Sequence, residues 1–386
     1  MIELRGITWD HVRGIGGLRA AAAAYGRIRP DVRVTWTTRS LQAFADQPVE
    51  QLAWGFDLLN IDHPALGHAV ARASLVPLDE RLDQAALEDQ IASGVGRSAE
   101  SYEWHGRRWA LATDAAAQVA AFRPDLLERA GLEVPRTWDE AVGASAALRG
   151  QGLWAAMPAI PVDAICAFLA VCVSPGEELF GDDRVVSPEL GRAALDVLAS
   201  FVASAHPSSL DWNPPRMLEH MAEADDVAYC PLAFGYSNYS RPGFRSRQVR
   251  FAAGPSGPDG VPRGTLGGAG LAVSAHGEAI DEAVRYAAFV ADPATQRGVY
   301  FEGGGQPGHR SAWTDPDVNA ASGGFFADTL AAMDAAYLRP RYDGFLAFQD
   351  EAGAIVHAHL RNHDDAGATL DRLDSAYRAS LAAQRV

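Results

Sequence analysis

The chain has 386 residues, 48% hydrophobic and 21% charged, which suits an ordinary globular protein of two domains with a sizeable core. A net charge of −16 excludes non-specific nucleic-acid binding and adsorption to an anionic membrane surface. All 33 Lys/Arg positions are arginine, which removes every chemistry that needs a lysine: Schiff-base and pyridoxal-phosphate catalysis, P-loops and kinase strands.

In chain order, apolar strand-like runs alternate with helical patterns, the signature of α/β units and a mostly parallel sheet. A strand over 2–9 ends in Trp9, Asp10 and His11, and an alanine-rich helix over 18–25 is closed by Gly26. A second strand, 32–36, runs out at Arg39 and Ser40, and a third, 56–61, at Asp62 and His63. In open α/β sheets ligands bind beyond the carboxyl ends of the strands, so these residues mark a candidate site. Further on, the patterns predict short strands at 109–112, 118–122, 153–158 with Trp154, 227–232, 249–253 and 271–274. The predicted helices include 162–173, 188–203, 216–223, 278–290, one from 292 to 301, 345–360 and 366–383. Two Gly-rich stretches, 254–270 and 303–308, read as loops. Three cysteines give no disulfide framework, and Cys166 and Cys172 sit in an apolar run as core thiols. The chain opens straight into a strand with no basic n-region or apolar h-region, so no signal peptide is read, and no apolar run is long enough to span a bilayer.

The segment 102–140, YEWHGRRWALATDAAAQVAAFRPDLLERAGLEVPRTWDE, is the most densely punctuated part of the chain. A turn at His105-Gly106 precedes a strand, a crossing at Thr113-Asp114 and a second strand; one helix opens at Pro124 and stops at Gly131. Thr137 then caps another helix with Asp139 and Glu140 at its positive end. This order, with GGAGLAVSAHGE at 267–278 and GGGQPGHRSAW at 303–313, resembles the extracellular solute-binding proteins of ABC importers, the family-1 group that includes maltose-binding protein. The family is normally exported, and the missing signal is the one departure.

The resemblance implies a type II periplasmic-binding-protein fold: two α/β lobes joined by hinge crossovers, closing on a ligand held in an inter-lobe cleft. It places the N-terminal lobe at 1–112 plus 268–310 and the C-terminal lobe at 113–267 plus 311–386. It implies a monomer with no cofactor, no metal and no catalysis, a small polar solute, and permease subunits as partners if the protein is exported; the location is then periplasmic, and otherwise cytoplasmic sensing or sequestration.

Position along the chain nominates the ligand contacts: Trp9, Asp10, His11, Arg39, Ser40, Asp62, His63, Asp114, Trp154, Phe234, Tyr236, Tyr239, Gly268, Gly270, Gln306 and Arg310. Trp9, Trp154, Trp212, Tyr236 and Tyr239 favour a carbohydrate through stacking, whereas His11, Arg39, His63 and Arg310 suit a small organic acid. Replacing Trp9 and Tyr236 together is expected to abolish binding without lowering the melting temperature. Two enzyme readings stand beside this. His359 and His363 have metal-ligand spacing, but Leu360, Arg361 and Asn362 supply no glutamate base. Asp62 and Asp114 could pair in a cleft as in a glycosidase.

Overall fold

In the computed structural model the described residues are 1–173, 178–257 and 259–382. Pro258, in the Gly/Pro-rich stretch, and Ala383, the last residue of the predicted C-terminal helix, lie outside them. Eight strands carry the site: β1 (Ile2–Trp9), β2 (Val32–Arg39), β3 (Leu58–Ile61), β4 (Ala110–Phe122), β5 (Trp154–Ala155), β6 (Val227–Phe234), β7 (Arg250–Ala252) and β8 (Leu266–Val273).

The chain divides into two compact units. The first comprises Met1–Ala116, Gly267–Ala320 and Leu338–Leu346, and the second Ala117–Leu266, Ala321–Tyr337 and Ala347–Val386. The sequence assigned all of 311–386 to the second; internal contacts instead give 311–320 and 338–346 to the first.

In the first unit β1 is flanked by β2 and β3, both parallel to it, and β8 runs antiparallel beside β3. One face packs Leu4, Leu18, Trp36 and Tyr286 into a core, and the other packs Ile7, Leu59, Leu66 and Tyr102. The helix Val12–Ile28 is longer than its alanine run suggested. His11 caps its start, its Nδ1 accepting from the Arg13 amide at 3.0 Å, and Gly26 lies inside it instead of ending it.

The second unit is more antiparallel than the strand–helix alternation implied. β6 and β7 pair antiparallel with the end of β4, and only the short β5 runs parallel to β6. Two expected strands and the crossing between them prove to be one 13-residue strand, β4, buried along nearly its whole length. Thr113 and Asp114 lie within this strand, and both are buried. The glycines at 267, 268 and 270, read as loop, are interior to β8. Among the described residues no helix is long and apolar enough to cross a membrane.

Candidate functional site

The carboxyl ends of β1, β2 and β3 meet at one edge of the first unit. Trp9 is registered against Arg39, and Ile61 ends β3 on the other side of β1, so Asp62 and His63 emerge beside them. Ser40 caps the helix Leu41–Asp46, its Oγ accepting from the Ala43 amide at 3.1 Å. That cap turns the chain back and sets Phe44 against Trp9, with ring centroids 4.8 Å apart and planes at 53°. The Arg39 guanidinium lies 5.2 Å from the Phe44 ring centroid and donates through Nη1 to the Ala43 carbonyl at 2.9 Å. Burial lowers its pKa to about 10, so it remains a cation at neutral pH. Trp9 Nε1 and Arg39 Nε are both buried, and neither has a hydrogen-bond partner among the described residues.

Two aspartates at this edge are already clamped. Arg13, the second residue of the helix behind Trp9, donates through Nε to Asp114 Oδ2 at 2.9 Å and through Nη2 to Oδ1. Arg13 and Asp114 are both buried. Burial raises the Asp114 pKa, and the Arg13 charge only partly offsets that rise. Asp62 caps the 3-10 turn His63–Ala65 and receives Arg339 Nη2 at 2.8 Å. Burial opposes its ionisation, but Arg339 and His63 outweigh that, and the carboxyl titrates well below the usual range. His63 is fully buried; its Nδ1 comes within 3.1 Å of Asp62 Oδ1, and its Nε2 has no hydrogen-bond partner among the described residues. Burial lowers its pKa to about 4, leaving a neutral ring with one donor nitrogen, on the Asp62 side, and one acceptor nitrogen.

Each Arg–Asp pair cancels its own charge. The buried polar atoms at this edge without a hydrogen-bond partner among the described residues include the Trp9 indole N–H, a ring nitrogen of His63 and the Nε of Arg39. Arg13, Phe44 and Arg339 were missed in the sequence. Arg13 and Arg339 lie 101 and 277 residues from their partners, a separation that leaves no local pattern. Phe44 could have been inferred from the Ser40 cap, which fixes the helix that presents it.

Several nominated residues are committed elsewhere. Asp10 is exposed, and its amide bonds to the Arg39 carbonyl. Gln306 Nε2 donates to the Ala115 carbonyl at 2.8 Å, holding the Gly-rich 303–308 stretch against β4. Gly268 has φ +118°, and a Cβ there would stand 2.4 Å from the Asp114 carbonyl oxygen; at Gly270 it would strike the Tyr102 ring at 2.5 Å. These glycines admit protein neighbours, where close approach to a ligand was expected. Arg310 begins the helix Arg310–Trp313 and is half-buried.

In the second unit Phe234 ends β6, and Tyr236 and Tyr239 follow in a short 3-10 turn. Tyr236 and Tyr239 are both buried; the Tyr239 hydroxyl donates to Glu219 Oε2 at 3.1 Å, and burial together with that carboxylate raises its pKa. Trp154 does not belong with them. It registers with Val227 at the start of β6, roughly 23 Å along the strand from Phe234, and packs edge-on against His206 at 5.7 Å. Of the other histidines, His357 Nε2 meets the Leu210 carbonyl and His359 Nδ1 meets Thr369 Oγ1, so the two engage different partners.

Residues 10–154 match the family model of bacterial extracellular solute-binding proteins. This is the family that the 102–140 segment resembles. No curated protein matches the chain by sequence. Among solved structures, maltose-bound MalE3 of T. maritima is similar with a TM-score of 0.82 and 19% identity, over 98% of this chain and 99% of that one. An ABC transporter solute-binding protein of Agrobacterium radiobacter K84 in complex with ribitol gives 0.82 and 21%, over 98% of each chain. One from Agrobacterium vitis S4 with bound D-mannitol gives 0.78 and 14%, over 100% of this chain and 99% of that one. The chain has the two-lobe α/β fold of the periplasmic binding proteins.

Proposed function

We propose that this protein is the solute-capturing component of an ABC import system and that its solute is a neutral polyhydroxylated molecule, a sugar or a sugar alcohol. The reading rests on one observation above the rest. Arg13 and Arg339 are each neutralised by an aspartate, and what remains at the strand ends is an aromatic pair, Trp9 and Phe44, beside isolated hydrogen-bonding groups. An aromatic face with a few N–H groups suits a ring or chain that is apolar on one side and hydroxylated at its edges. The maltose, ribitol and mannitol complexes of similar folds agree with that class. An exported protein of this kind would deliver the solute to permease subunits.

The state of the two aspartates at this edge supports binding without turnover there. A glycosidase needs an accessible carboxylic acid and a second carboxylate at the bond to be cleaved. Asp114, whose pKa is raised, is closed off from solvent by Arg13, and Asp62, held ionised, is bound by Arg339.

One observation favours a second reading, a small organic acid. Arg39 is a half-buried cation with no carboxylate partner among the described residues. A thermal-shift series separates the two, because a ligand stabilises the state it binds. Maltose, ribitol, mannitol and other neutral sugars are set against organic acids and amino acids. Stabilisation by neutral polyols is the expected result; stabilisation by carboxylates alone would transfer the site to the acid reading, and turnover of any hit would end the binding-protein reading.

A further inference from the structure

In the second unit a group of side chains clusters at the start of β6, far along the strand from its Phe234 end. His206, His220 and Asp226 present ligand atoms that all lie within 4.8 Å of one another. His220 Nε2 is 2.8 Å from Asp226 Oδ1, and His206 Nε2 is 3.9 Å from Asp226 Oδ2. We propose that these three residues form a binding site for a divalent transition-metal ion of the zinc type.

The positions are fixed by the backbone of β5. The His206 amide donates to the Ala155 carbonyl at 2.8 Å, and the Trp154 amide donates to the Asp226 carbonyl at 2.7 Å, so both loops hang from one two-residue strand. His220 projects from the last turn of the helix Pro214–Glu223. Trp212 fixes the rings: it stacks on His206 at 4.5 Å with planes 14° apart and leans on His220 at 4.7 Å. Ligand orientation is therefore set by packing before any ion arrives, which lowers the ordering cost of binding. Two imidazoles and a carboxylate suit zinc and its neighbours in the first transition row, and calcium or magnesium poorly.

The spacing is compatible with such an ion. Two ligands at about 2.0–2.1 Å from a tetrahedral zinc stand roughly 3.4 Å apart, between the separations found here. Side-chain exposures of 15%, 31% and 38% for His206, His220 and Asp226 leave one direction open for water as a fourth ligand. One bond opposes the ion. His206 Nδ1 accepts from the Ser208 amide at 3.1 Å, so the neutral ring carries its proton on Nε2. Coordination through Nε2 moves that proton to Nδ1 and breaks the bond to Ser208. The site is therefore weaker than a closed four-ligand structural zinc centre.

The test is titration of the full chain with zinc chloride near neutral pH, followed by calorimetry and thermal melting, with cobalt(II) absorption reporting the ligand geometry. One equivalent of zinc should bind, raise the melting temperature and be removed by a chelator. His220→Ala and the nearly isosteric Asp226→Asn should each weaken binding by more than about tenfold, a loss that even an outer-shell substitution can produce. His357→Ala should bind as the parent does. Metal-free melting of each variant shows whether its fold is intact, and Asp226→Asn, half-exposed at the surface, keeps the test open if His220→Ala is unstable. Absence of saturable binding by the parent, parental affinity in folded Asp226→Asn, or an equal loss in His357→Ala would overturn the proposal.

Discussion

Arg13 grips both carboxylate oxygens of Asp114 from 101 residues away, with both side chains closed off from solvent. The pair sits directly behind Trp9, whose ring centroid is 5.9 Å from the Arg13 guanidinium, so it supports the aromatic surface instead of offering a charge to a solute. Breaking a buried ion pair from one side strands the other charge. Arg13→Met or Asp114→Asn alone should destabilise the protein by about 3–5 kcal/mol. The double variant Arg13→Met/Asp114→Asn should recover a large part of that loss in chemical denaturation.

His63 sets a pH dependence whose sign follows from its burial. Its folded pKa is about 4, against an ordinary value of 6.5. Between those values the unfolded chain binds a proton that the folded chain refuses, so stability falls as pH drops through this window. The full difference is about 3 kcal/mol, present above pH 6.5 and lost by pH 4. Asp62, held below the ordinary carboxylate range, loses its contribution in the same direction at still lower pH. His63→Gln should flatten the stability profile between pH 6.5 and 4, as read by urea denaturation at stepped pH.

Trp9 needs a conservative substitution. Trp9 and Tyr236 are 3% and 4% exposed, so the expectation that truncating both would spare the melting temperature fails on burial. Trp9→Ala should remove about 3–5 kcal/mol of stability by leaving a cavity. Trp9→Phe keeps a ring against Phe44 and removes the unpartnered N–H together with part of the indole, a smaller loss than truncation to alanine. It should remain folded at a stability cost smaller than that of Trp9→Ala and lower solute affinity by about tenfold, the value of one hydrogen bond of about 1.4 kcal/mol.

Gly268 gives a test of packing against ligand contact. Its φ of +118° and the 2.4 Å approach of a Cβ to the Asp114 carbonyl leave no room for a side chain. Gly268→Ala should lower stability by more than about 3 kcal/mol through strain and displacement of β4. If the folded fraction of that variant bound solute normally, the glycine would be a packing residue only, as the geometry indicates.

The sequence made some of this legible and hid the rest for physical reasons. Strand ends and caps are local, so Trp9, His11, Arg39, Ser40, Asp62 and His63 could be placed at one edge from punctuation alone. Asp114 was found by its place in the crossing segment, but its partner could not be, because nothing near residue 114 points to Arg13. Arg339 is equally silent. The Gly-rich run at 267–270 reads as a loop in the sequence because glycine weakens strands; β8 uses Gly268 and Gly270 to admit Asp114 and Tyr102. Trp154 was grouped with Phe234 and Tyr236 on residue type alone, and the parallel pairing of β5 with the start of β6 carries it to the other end.

The most direct test of the central claim is calorimetric titration of the parent protein and Trp9→Phe with the neutral sugar or polyol that most raises the melting temperature, alongside an organic acid of similar size. The expected result is one site per chain for the neutral solute, weakened about tenfold in folded Trp9→Phe, and little heat from the acid. Tight binding of the acid with none of the neutral solute, or equal affinity of parent and Trp9→Phe, would contradict it.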